Sequence, residues 1–412
     1  AQLVDGIWHF EGEPVTITLL IRADLAPYPE AGYYVADQLE SIGFATDRQV
    51  KTGGEAAPIW LGDINQGLFH IYTGGWASTV IPRDSGLIFD QMYTHRIMPF
   101  PIFTNLQDQL ADFPELDEAA DALRQKKFTT MEEREAFFET ALWEAMKFSN
   151  CIWTVDIAGA YTYSSDVAVA SDVAAGISDP SWVYTAHFID DNGDPVIGGD
   201  LNIAAPNILV DPWNPVEGSA FSYDNFLNNL ALGELGVIPD PRDGLFWPVD
   251  FESAEIYAQS ELPIDITHDW LTLEFVDDNE VPLDAWADWD AENQQWITVE
   301  ERFGPEGTTS QIKSVVQYPD DLFEKPLHDG STLSMGDFVM SMIMNFDTGK
   351  AESPVYDESK AANVAAELEA LKGFRIVSTD PLVIETYTDV WYMDAEANVT
   401  TWYPSYGTYD WT

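Results

Sequence analysis

The period of the hydrophobic positions changes repeatedly along the chain, and the changes predict alternating strands and helices. Pro14 to Ile21 (PVTITLLI) is apolar and β-branched, as expected of a buried strand. From Glu30 to Ile42 the apolar residues Tyr34, Val35, Leu39 and Ile42 follow a helical period, and Gly43 stands at the C′ position that ends such a helix. Phe44 to Val50 reads as the next strand. The three segments make a β-α-β unit, usually parallel with a right-handed crossover. A further strand, Leu68 to Thr73, runs into Gly74–Gly75–Trp76. Glu115 to Phe128 and Met131 to Phe148 have amphipathic helical periods. Thr129 or Thr130 caps the second, with Glu132 and Glu133 in its first turn, where the helix dipole favours anions. Ile152 to Ile157 and Val167 to Val169 read as strand material.

Between His187 and Asp200 the chain turns polar and glycine-rich, the composition of a linker or domain boundary. Beyond it, Leu201–Ile203, Ile208–Val210, Trp270–Val276 and Trp296–Val299 read as strands, and Asp240 to Pro248 as turns. Lys325 to Phe346 holds the clearest local signal. His328–Asp329–Gly330 makes a turn. Ser334 then caps a helix, with Asp337 at the capping-box position. Phe338, Met342 and Phe346 form an apolar stripe that must face a core. Strands flank this unit at Ser314–Tyr318, Ile376–Val377 and Leu382–Ile384. Strands interleaved with helices define the α/β class. A length of 412 residues exceeds what one core usually serves, so more than one domain is expected.

Charge narrows the function classes. The chain carries 71 acidic and 18 basic residues, a formal net charge of −53. Nucleic acid and anionic membrane surfaces both demand clusters of Lys and Arg, so both are excluded as partners. The acidity has three readings: a hydrated, self-repelling surface; adaptation to high salt; or a surface that collects cations. Hydrophobic content of 46% suffices for packed cores. Cys151 is the single cysteine, so no intrachain disulfide exists. It lies in the apolar run Cys151–Ile152–Trp153, which favours core packing over a reactive thiol. No signal peptide, lipobox or apolar run long enough for a bilayer is seen, and the abrupt opening at Ala1 reads as a processed or partial chain.

The segment KPLHDGSTLSMGDFVMSMIMNF, with its flanking strands, resembles the HDG region of the family 5 extracellular solute-binding proteins. These are the peptide, oligopeptide and nickel receptors of ABC importers. Residues 13 to 188 are similar to a later part of that family, through the β-α-β unit, the Gly75–Trp76 pair and the Met131–Arg134 helix. Residues 198 to 390 are similar to an earlier part, through Asn214–Pro215, the Asp240–Gly244 turn and the HDG segment. The order is therefore rearranged, with an insertion at roughly 250–303, and the family's GTGPY segment is absent. The resemblance implies an α/β, two-lobed periplasmic-binding-protein-like fold with mixed sheets and a hinge. One ligand-binding lobe is expected over 1–150 and the second over 151–412. It implies a small-molecule or peptide ligand, an ABC permease as membrane partner, and an extracellular or periplasmic location with an anchor outside this chain.

Trp76 is the leading ligand contact, because open α/β sheets bind at the carboxyl ends of their strands. Gly75 lets backbone approach a ligand closely. The alternative is a tryptophan packed under a loop. Peptide-binding relatives hold the ligand's amino terminus on an acid after the Gly-Trp pair; here the next acid is Asp84, beside Arg83. Trp213, Asn214, Tyr223 and Trp247 are further candidates, each weighed against a core role. Asp284, Asp288, Asp290 and Glu292 alternate in a segment that suits Ca²⁺, although Asn293 stands where an EF-hand loop needs glycine. Asp190–Asp194 is a similar acidic turn. The histidines form no HxxH or HExxH pair, and neither a GxSxG elbow nor a Walker loop is present. Asn398–Val399–Thr400 is a glycosylation sequon. Two rival functions stand beside the receptor: a glycoside hydrolase with paired carboxylates, and a structural protein of a surface layer.

Overall fold

A computed structural model describes residues 1–24, 26–60, 66–75, 86–96, 113–156, 160–176, 179–204, 236–326 and 330–399. It is a mixed α/β protein with several sheets. The chain opens with a three-stranded meander, β1 (Gln2–Val4), β2 (Ile7–Phe10) and β3 (Glu13–Pro14). Next come β4 (Thr16–Arg22), α1 (Pro27–Ser41), β5 (Ala45–Lys51), α2 (Gly53–Trp60) and β6 (Ile71–Tyr72). These form an all-parallel sheet of order β5-β4-β6. Leu19 and Ile21 on β4 pack with Ala36 of α1 in a core of their own. Gly43 has φ +98°, so the left-handed stop expected after α1 is present.

Three helices follow: α3 (Leu87–Tyr93), α4 (Pro114–Arg124) and α5 (Met131–Phe148). Thr130 caps α5, its hydroxyl accepting the Glu133 N–H at 3.2 Å. The strand expected at Ile152–Ile157 is not formed over the described part, residues 152–156. Ile152, Trp153 and Val155 are exposed there, and the Trp153 indole donates to the Tyr93 hydroxyl at 3.0 Å. An apolar run makes a strand only when another strand offers a ladder, and none pairs with it among the described residues. Next are β7 (Val167–Ala168), α6 (Ser181–Thr185), β8 (His187–Ile189) and β9 (Pro195–Val196). The stretch expected to be a linker thus begins as a hairpin of a three-stranded sheet.

The last part contains β10 (Val237–Pro239), β11 (Phe246–Pro248), β12 (Ser253–Gln259), β13 (Leu271–Val276), β14 (Asn279–Val281), β15 (Trp286–Asp290) and β16 (Gln295–Thr298). It continues through α7 (Val299–Phe303), β17 (Thr308–Ser310), β18 (Ile312–Gln317), α8 (Met335–Asp347), α9 (Glu358–Ala370), β19 (Leu371–Thr379), β20 (Leu382–Thr388) and α10 (Ala395–Asn398). A seven-stranded mixed sheet of order β13-β12-β18-β20-β19-β15-β16 dominates, with only β12 and β13 parallel. Residues 250–303, which read as an insertion, supply four of these strands. Ser334 caps α8: its Oγ accepts the Gly336 N–H at 3.2 Å, and its own N–H donates to Asp337 at 2.6 Å. Phe338, Met342 and Phe346 are fully buried against the sheet, as their spacing predicts. The same core takes in Phe89, Leu116, Leu123, Phe128 and Ala141, so α3, α4 and α5 share one hydrophobic body with the large sheet. The turn residues His328 and Asp329 lie outside the described residues.

Candidate functional site

The parallel sheet creates one place suited to a ligand. Its order, second strand–first strand–third strand, sends α1 and α2 off in opposite directions, so the chain reverses between β4 and β6. In open α/β sheets the crevice beyond the carboxyl ends at such a reversal is where ligands bind. Arg22 ends β4, and Gly74–Gly75 follow β6. The Arg22 N–H donates to Thr73 Oγ1 at 2.9 Å, which ties the two strand exits together.

The crevice is built from polar groups held by burial. Arg22 Nε donates to Asp24 Oδ1 at 3.0 Å, and a second guanidinium nitrogen closes a short contact with Asp24 Oδ2. Both side chains are almost wholly buried. The Arg22 guanidinium also lies 5.4 Å from the centre of the Tyr28 ring. Tyr28 enters from the first turn of α1, and burial pushes its hydroxyl above the ordinary tyrosine range against the pull of Arg22. A side chain on Gly75 would place its Cβ 1.9 Å from the Tyr28 hydroxyl, so only glycine admits this approach. The first turn of α2 closes in from the other side. A Cβ at Gly53 would stand 3.0 Å from an Arg22 nitrogen. Trp60 stacks on Tyr72 at 5.3 Å, giving the crevice an aromatic flank.

Of the ligand contacts expected from sequence, Gly75 is in this crevice. Trp76, Asp84, Trp213, Asn214 and Tyr223 lie outside the described residues. Trp247 belongs to a different sheet: it sits on β11, 36% exposed, with its ring 4.4 Å from that of His268. Beside it Asp240 is held down to about 2, chiefly by the Arg242 guanidinium. Sequence reading missed Arg22, Asp24 and Tyr28. The available signal was a pair of opposite charges at the exit of an apolar strand, followed by Pro27 at a helix start.

The acids considered for Ca²⁺ stand on a hairpin and not on a loop wrapped around an ion. Asp288 lies on β15 and pairs with Lys350 at 2.8 Å. Asp290 turns its carboxylate onto the N–H groups of Glu292 (3.1 Å) and Asn293 (3.0 Å), the geometry of a side-chain-stabilised turn. The Asn293 side-chain amide, which donates to Asp290 Oδ2 at 2.8 Å, and these backbone bonds hold its pKa low. Asp284 precedes the hairpin, near Arg375 and Tyr387. Asp190 plays the same turn role, accepting from Asn192 and Asp194. No group of three or more His, Cys, Asp or Glu is assembled for a metal among the described residues.

Cys151 is half-buried, its thiol donates to the Met92 carbonyl at 3.6 Å, and burial raises its pKa, away from thiolate chemistry. Asn398 is fully buried and donates to the carbonyls of Tyr392 and Asp394, each at 2.9 Å. The folded protein therefore does not present this sequon. No helix among the described residues is long and apolar enough to cross a membrane. No protein-family model matches the chain, and no curated protein does.

Proposed function

We propose that this chain is the solute-binding receptor of an ABC importer, taking a peptide or oligosaccharide-like solute between two hinged α/β lobes. The reading places it outside the cell membrane, in the extracellular or periplasmic space, where the closed form is presented to a permease. What supports it is the crevice at the β4/β6 reversal. There a buried Arg22–Asp24 pair, the Tyr28 hydroxyl and the backbone of Gly74–Gly75 meet immediately before Trp76. Recognition sites of this type join a few fixed polar groups to aromatic surface. The paired charges of Arg22 and Asp24 cancel, so they offer directed hydrogen bonds without net charge. That suits a neutral or zwitterionic solute and disfavours a bare anion.

The test is to purify the protein from its source, identify co-purifying small molecules by mass spectrometry, and titrate the protein with peptide and oligosaccharide pools by calorimetry. The expected result is a stoichiometric ligand whose affinity drops at least tenfold in Tyr28→Phe, a variant that keeps the aromatic packing. If no pool binds, or if binding ignores Tyr28, the crevice is not the site.

A further inference from the structure

The acidic turn between β8 and β9 holds the one Asn–Gly dipeptide of the sequence, Asn192–Gly193. The Gly193 N–H donates to the Asp190 carbonyl at 2.9 Å, and the Asp190 N–H donates to the Asp194 carbonyl at 3.0 Å. Gly193 closes the turn in the left-handed region, φ +87°. This is a short hairpin loop of the kind that ends in a left-handed glycine. Asn192 and Gly193 are both exposed, and nothing among the described residues lies within 4 Å of a Cβ placed on Gly193. The backbone nitrogen that follows an asparagine approaches its Cγ most easily when it belongs to glycine, which has no side chain to obstruct the swing of the chain. Here both groups that would react are engaged elsewhere, the Gly193 N–H on the Asp190 carbonyl and the Asn192 amide on the Asp190 carboxylate. That carboxylate takes the Asn192 N–H at 2.8 Å and the Asp194 N–H at 3.0 Å on Oδ1, and the Asn192 side-chain nitrogen at 3.3 Å on Oδ2. These bonds, the Asp194 N–H first, hold the Asp190 pKa below the ordinary carboxylate value, so the grip persists at neutral pH.

We propose that Asn192 is the site at which this chain deamidates without an enzyme, and that Asp190 slows the conversion by holding both reacting groups. The Gly193 nitrogen gives its proton to solvent and attacks Asn192 Cγ. The new N–Cγ bond closes a succinimide, the Cγ–Nδ2 bond breaks, and Nδ2 takes a proton from water and leaves as ammonia. Water then opens the ring. Breaking the bond to Cγ gives aspartate, and breaking the bond to the main-chain carbonyl carbon gives isoaspartate. One water is consumed, one ammonia is released and nothing is oxidised or reduced. Ring closure requires the Asn192 amide to leave Asp190 Oδ2 and the Gly193 N–H to leave the Asp190 carbonyl, so the rate follows the fraction of molecules in which this turn is open. The product does not close again in the same way. A carboxylate at position 192 meets Asp190 with repulsion where the amide met it with a bond. Isoaspartate also lengthens the main chain inside the loop that joins β8 to β9.

The experiment incubates the full chain at mildly alkaline pH and follows each asparagine by peptide mass spectrometry, with isoaspartate separated from aspartate by chromatography. A synthetic peptide spanning His187 to Asp200 is incubated alongside. It carries the same neighbouring acids, so the ratio of the two rates reads the folded turn alone. The expected result is conversion that falls first on Asn192 and is slower in the protein than in the peptide by about tenfold, the factor that one charge-assisted hydrogen bond is worth. Asp190→Ala brings the protein's rate up toward that of the peptide. Asp191→Ala removes an equal charge that makes none of these bonds, and leaves the rate unchanged. The comparison of unaltered protein with peptide does not depend on any variant folding. Equal rates in protein and peptide, the same acceleration in Asp190→Ala and Asp191→Ala, or conversion that falls first on another asparagine would overturn the proposal.

Discussion

Gly75→Ala tests both the packing of the crevice and its assignment as a site. The added Cβ would stand 1.9 Å from the Tyr28 hydroxyl oxygen and 3.1 Å from Cζ. Comfortable contact between such atoms needs about 3.5 Å, so the ring must withdraw by roughly 1.5 Å. It has little room, because Tyr28 is buried at the first turn of α1 with Arg22 over its face. Overpacking of this kind costs about 1–3 kcal/mol. Tyr28→Phe removes the oxygen that collides and leaves the 3.1 Å contact, which a small shift relieves. Alone it costs no more than about 1 kcal/mol. In the double variant the collision is largely absent, so the two changes couple favourably by about 1–2 kcal/mol, within the range for residues in direct contact. Urea unfolding monitored by far-UV circular dichroism gives all four stabilities of the cycle. Additivity within about 0.5 kcal/mol would refute the reasoning, since it would mean that Tyr28 does not approach Gly75.

Three further outcomes follow from the geometry. Glu385→Gln weakens a buried cross-strand cluster in which the carboxylate takes Lys313 at 2.8 Å, Arg375 at 2.6 Å and the Tyr387 hydroxyl at 2.9 Å. Burial pushes the Glu385 pKa up, but these bonds outweigh it and hold it low. Its contribution, about 1.5–3 kcal/mol, is thus present at neutral pH and lost as pH falls through the depressed folded value. Urea midpoints of wild type and variant should differ at pH 7 and converge in acid. Lys126 acts in the same sense in a higher pH window. Its folded pKa of about 7 lies below the unfolded value near 10.4, so stability rises with pH between the two. Lys126→Met should flatten that rise, and an unchanged slope would show that Lys126 is not the group responsible. Ser334→Ala removes the cap of α8 and should lower stability by about 1 kcal/mol with the urea m-value unchanged.

How much of this was legible in the sequence depended on whether the controlling contacts were local. The bounds of α5 could be read because both ends are set by neighbours in sequence: Thr130 caps the start, and Ser149 turns left-handed at φ +51°. The Phe338–Met342–Phe346 stripe was readable for the same reason. At Ile152–Asp156 composition resembled a strand, but the deciding fact, a partner strand, is not local. The Asp290 carboxylate shows the limit from the other side. Alternating acids suggested an ion site, yet the acid closes a hairpin whose turn also needs Gln294 at φ +53°. The crevice was half visible. Gly75 was recognised from its position after an expected strand. Arg22, Asp24 and Tyr28 acquire meaning only once β6 lies beside β4, a pairing that links residues about fifty positions apart.

The use made of the few cations explains what the net charge does. Twelve of the eighteen basic residues form ion pairs seen among the described residues. Several are substantially withdrawn from solvent, as with Arg22–Asp24, Arg124 on buried Asp90 at 2.9 Å, and Lys313 on Glu385. Cations spent inside the fold leave the outer field to the carboxylates, so like-charge repulsion acts across the whole surface. The Debye length shrinks from about 10 Å at 0.1 M to about 3 Å at 1 M salt. That change screens the surface repulsion but hardly reaches the buried pairs. Raising ionic strength should therefore stabilise this protein, with a higher urea midpoint at 1 M than at 0.05 M. Sodium gluconate should act in this as sodium chloride does. A midpoint that falls with ionic strength in both salts would show that exposed ion pairs, such as Arg48 with Asp37, outweigh the repulsion, reversing the assignment of the acidic surface.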